Sequence, residues 1–111
     1  MPHFFCKLKP PRANFLTDMS EEEALVMRRH REYWMPHVEV GAVIAMGAVA
    51  DPTGAYGVAI VEAASAFALN SMLQSDPAIL SGRGFSYETF PMPALAARPA
   101  MPLAPITSVT P

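Results

Sequence analysis

At 111 residues, with 51% hydrophobic and 16% charged residues and a net charge of −2, the chain fits one globular domain. That balance is a globular protein's rather than a disordered one's, and the net charge argues against a nucleic-acid footprint. No apolar run approaches the roughly 18 residues needed to span a bilayer, and the opening HFFCKLKP is strand-like rather than signal-like, so the reading is a soluble, cytoplasmic protein without a membrane partner.

Pro2 to Lys9 alternates His3, Phe5, Lys7 and Lys9 against Phe4, Cys6 and Leu8, the pattern of a first strand with one face in a core. Cys6 is the only cysteine; it packs there as a small apolar residue and agrees with a reducing compartment. Pro10 to Met19 has no period and reads as a loop that ends by capping a helix. The cap is Asp18 or Ser20, and Ser20 with Glu23 has the Ser-x-x-Glu spacing of a capping box. From Glu21 to about Met35 a helix carries Val26, His30, Tyr33 and Trp34 on one face, and Pro36 ends or kinks it. Arg28, Arg29 and Arg31 on this helix read as partners in spaced ion pairs with its glutamates.

Gly41 to Glu62 reads as two apolar strands joined at Asp51-Pro52-Thr53-Gly54, a turn in which Pro presets φ and Gly permits positive φ. Asp51 either closes that turn through its own side chain or serves as a functional carboxylate. Ser65 then caps a helix over Ala66 to Gln74, Asp76-Pro77 opens a short helical turn, and Phe85 to Phe90 alternates as a fourth strand. Beyond Phe90, six of the twelve prolines fall between Pro91 and Pro111. The division is therefore a domain over residues 1–90 and an irregular Pro-rich tail over 91–111.

Strand, helix, strand, strand, helix, strand is the ferredoxin-like βαββαβ order, an α+β fold with a four-stranded antiparallel sheet and both helices on one face. Apolar groups on both sides of the middle strands leave the other face wanting cover, which a homodimer would supply.

His30 in MRRHREYW, Gly41 and Gly47 ahead of Asp51, Gly57 in YGVAIVEAAS, Asp76-Pro77 and the closing GFSYETFPM together resemble the YCII-related (YciI-like) family of small dimeric α+β barrel proteins, over about residues 1 to 92. The chain departs from the family pattern at Gly47-Ala48, where relatives often carry Gly-Pro, and in its Pro-rich tail. The resemblance implies a His-Asp active-site pair, which maps onto His30 and Asp51. One branch of the family includes an enzyme that removes chloride from a chlorinated hydroxyquinone.

A carboxylate on one ring nitrogen of His30 would fix its tautomer and leave the other nitrogen to take or give a proton. With no Cys/His metal cluster and no Gly-rich phosphate loop in the sequence, no cofactor is expected. The chemistry that fits is isomerisation or elimination on a small aromatic, quinonoid or lactone substrate, in a cavity lined by Tyr33, Trp34 and Phe85. The chain is then a lyase or an isomerase; the competing reading is a non-catalytic dimeric module that binds a small molecule.

Overall fold

A computed structural model describes residues 1–99. It contains β1 (His3–Lys9), α1 (Phe15–Asp18), α2 (Glu21–Glu39), β2 (Val43–Val49), β3 (Tyr56–Glu62), α3 (Ala66–Gln74), α4 (Pro77–Leu80) and β4 (Ser86–Met92). The strands form one antiparallel sheet in the order β2-β3-β1-β4, the ferredoxin-like arrangement. Because side chains alternate across a strand, Phe4, Cys6 and Leu8 of β1 fall on one face opposite Val61, Ala59 and Gly57 of β3. Phe4, Cys6 and Val61 meet Trp34 from α2 and Leu69 and Leu73 from α3 in a common core, so both long helices cover this face. The opposite face carries Phe5, Lys7, Val58, Ile60, Glu88 and Phe90.

The start of α2 is fixed by two reciprocal bonds: Ser20 Oγ accepts from the Glu23 amide at 3.1 Å, and Glu23 accepts from the Ser20 amide at 2.9 Å. Arg12 adds a bidentate grip on the Glu23 carboxylate, both contacts at 2.8 Å, and bonds Asp18 as well. The guanidinium of Arg12 and the Ser20 amide hold Glu23 down to about 2 from an ordinary 4.5. The Arg12 segment is thereby tied to the first turn of the helix that carries His30.

Three expectations need adjusting. The stretch before α2 contains a short helix, α1, because Phe15 buries its ring edge-on against Phe85, with centroids 5.2 Å apart. Pro36 does not end α2, which runs on to Glu39. A proline removes the N–H that would bond the carbonyl four residues back, but Glu32 and Pro36 are both exposed residues, so that carbonyl lies on the side of the helix open to solvent. The helix ends instead at Gly41, whose φ of +88° and bond to the Val38 carbonyl give the left-handed stop that a residue without Cβ takes easily. Finally, β4 continues through Pro91 to Met92 opposite Phe4 and His3. Of the Pro-rich tail, residues 100–111 lie outside the described residues.

Candidate functional site

His30 sits midway along α2, one turn before Trp34, so both side chains lean against the same part of the molecule. What they meet is Asp76. It caps α4, its Oδ1 accepting from the Ala78 amide at 2.8 Å, and Pro77 at the next position needs no such partner. The remaining lone pairs turn inward. Oδ2 accepts from Trp34 Nε1 at 2.9 Å and from the Tyr87 hydroxyl at 2.5 Å, while His30 Nδ1 lies 2.8 Å from Oδ2 and 3.0 Å from Oδ1.

The Asp76 carboxylate is fully buried, whereas the His30 side chain keeps 16% exposure. Burial works to raise the Asp76 carboxyl, but the bonds from His30, Trp34 and Tyr87 outweigh it and hold the group below its ordinary value. Burial and the Asp76 charge push the Tyr87 phenol well above its usual range, so it stays a donor. A carboxylate is acceptor-only, so the hydrogen between His30 and Asp76 belongs on Nδ1. Nε2 is then the free position of the ring, and no side chain among the described residues bonds it.

Two adjoining cavities meet His30. The smaller, about 30 Å³, is bordered by Cys6, Trp34, Met46, Gly57 and Tyr87 and has room for a water or two. The larger is a groove of about 720 Å³ between α2 and the β2-β3 side of the sheet, floored by Leu8, Met27, Met35, Met46 and Phe85. Its size falls within the range of small-molecule sites. Gly57 also borders the groove opposite Leu8, where a Cβ would come 3.4 Å from the leucine Cβ, an ordinary contact.

The structure does not bring the expected His30–Asp51 pair together. Asp51 Oδ1 accepts from the amide and the hydroxyl of Thr53, both at 2.8 Å, and so closes its own turn. These bonds lower the Asp51 carboxyl. The carboxylate that reaches His30 is Asp76, which the sequence marked as a helix cap and, with Pro77, as one motif of the family resemblance, but not as a site residue. Of the three expected lining residues, Phe85 borders the large groove and Trp34 the small cavity. Tyr33 borders neither; its hydroxyl donates to the Met72 carbonyl at 2.7 Å, and its ring stands edge-on to Trp34. Arg28, Arg29 and Arg31, expected in ion pairs, have no carboxylate within 4.0 Å among the described residues, and Arg28 and Arg31 line the groove. Cys6 is buried and free, its thiol raised to about 11 by burial, which makes it a packing residue.

The family model for the YCII-related domain matches residues 3–93, and the chain belongs to that family. No curated protein and no solved structure matches the chain.

Each Asp76 oxygen faces only donors, so an amide cannot replace it: whichever way Asn turned, its NH₂ would meet N–H or O–H groups. Asp76→Asn should cost on the order of 3 kcal/mol at pH 7 by urea denaturation. Because the folded-state value of Asp76 lies below the unfolded 3.8, its contribution is intact at neutral pH and lost as pH falls through and below that value. The variant's deficit should therefore shrink in acid; a variant as stable as the parent at pH 7 would contradict this account.

Proposed function

We propose that this YCII-related protein is a small enzyme, a lyase or isomerase, in which His30 moves a proton on an aromatic, quinonoid or lactone substrate held in the groove beside it. The observation that carries the reading is the buried, acceptor-only Asp76 on His30 Nδ1, with the ring bordering an apolar groove of about 720 Å³. Asp76 takes the part that Asp51 was expected to play. It fixes the tautomer and balances the imidazolium that forms when Nε2 accepts a proton; Nε2 then returns the proton to another position of the substrate, or to a leaving group. His30 is the catalytic residue, and Asp76, Trp34 and Tyr87 are positioning residues, since they act through the imidazole. Phe85, Met27 and Met35 supply an apolar wall that strengthens electrostatic interactions inside the site.

The same reading has the protein act as a homodimer through the uncovered face of the sheet. Phe90 is 51% exposed there and packs its ring against Phe5 at 6.3 Å, beside Val58 and Ile60. The Lys9–Glu88 ion pair and the His3–Glu62 contact at 3.6 Å stand around this apolar centre, as the polar rim of an interface would. No helix among the described residues is long and apolar enough to cross a membrane. The buried, unpaired Cys6 suits the reducing cytoplasm.

Proton transfer is read directly by deuterium uptake. Hydroxyquinones and unsaturated lactones incubated with the protein in D₂O should exchange the hydrogen beside their carbonyl, followed by proton NMR. His30→Gln should lower the exchange rate roughly 10²- to 10⁴-fold with little change in KM. Thermal stabilisation by these compounds without any exchange would instead identify a binding module. For the assembly, light scattering at micromolar concentration should give a dimer for the parent chain and a monomer for Phe90→Glu; a monomeric parent would rule the dimer out.

A further inference from the structure

The charges around the groove point to one class of ligand. The chain has ten acidic and eight basic residues, yet no Asp or Glu lines the groove while Arg28, Arg31 and Arg98 all do. Of the other cations, Arg12 pairs with Asp18 and Glu23, Lys9 with Glu88, and Lys7 lies over the Tyr56 ring, while Arg29 and Arg83 have no carboxylate within 4.0 Å among the described residues and do not line the groove. Arg28 and Arg31 are neighbours three apart on α2, on the flank that also carries Met27 and Met35 and beside His30. Arg98 comes from the segment after β4, so the cations reach the same apolar space from two parts of the chain.

We infer that the groove takes a small acid: a molecule with a flat apolar body and one carboxylate or acidic enol, the body on Met27, Met35 and Phe85 and the anionic group at Arg28 and Arg31. This rests on the reading of the groove as the substrate site, and adds to it the charge of the ligand. A guanidinium offers paired donors to a planar oxyanion, and two of them on adjacent turns set the ligand's orientation along α2 relative to His30. An uncharged analogue would keep the apolar contacts and lose the orienting ones.

The test compares 1-naphthoate with 1-naphthamide, which share a ring system and differ in charge, by titration calorimetry and by methyl NMR of the full chain. Naphthoate should bind with shifts at Met27 and Met35, roughly 10-fold or more tightly than the amide, and more weakly as salt is raised. In Arg28→Gln/Arg31→Gln, whose changes are confined to exposed side chains, that preference should disappear while naphthamide affinity stays the same. Equal affinities in the parent, a preference that survives the double substitution, or no binding of either compound would each overturn the inference. Binding requires no turnover, so the two readings fail separately: a His30→Gln protein that exchanges protons normally would strike the catalytic assignment and leave the acid preference standing.

Discussion

The fully buried carboxylate of Asp76 is the interaction on which the rest of the molecule depends. Removing a charge from water is expensive, and here the cost is met by donors from three elements: His30 and Trp34 on α2, Tyr87 on β4, and the Ala78 amide in α4. One side chain thus joins the long helix to the last strand and to the corner after α3. Every buried side-chain nitrogen and oxygen among the described residues has a partner, so nothing in this network is left half-satisfied. Stability and the presentation of His30 are products of the same bonds, because the groups that neutralise the burial of Asp76 are also those that hold the imidazole still.

Around that fixed point the chain leaves space. Three methionines give an adaptable lining, and arginines from α2 and from the segment after β4 border the opening. The first turn of α2 is pinned separately by Ser20, Glu23 and Arg12, so the helix is held at its start and near its middle. In the function proposed above, a histidine oriented this firmly beside the groove needs little reorganisation when charge develops on its ring.

Most of the architecture was legible because it is written in local chemistry. The Ser20 and Glu23 spacing, Ser65 before an apolar helix, and the alternation in HFFCKLK each specify an element within a few residues. The exact course of α2 was not, since whether Pro36 breaks a helix depends on whether water can reach one carbonyl. The site was half legible. His30 stands out on its helical face, but the chain offers two Asp-Pro pairs, Asp51-Pro52 and Asp76-Pro77, and both perform a local bond to a following amide. What separates them is burial. Asp51 spends its oxygen in a surface turn, whereas Asp76 follows the core helix of Leu69 and Leu73 and turns its second oxygen inward. The available signal was the need of a buried tryptophan N–H and a buried tyrosine hydroxyl for a shared acceptor. A separation of 46 positions between His30 and Asp76 put that meeting beyond any local pattern.

The most direct measurement is the tautomer of the neutral His30 ring, read from the ¹⁵N shifts of its two nitrogens in the full chain. If Asp76 holds the ring as described, the proton resides on Nδ1, exchanges slowly with solvent, and Nε2 carries the shift of an unprotonated acceptor. A ring protonated on Nε2, or averaged between the two forms, would contradict the account, because His30 would then present no free base to the groove.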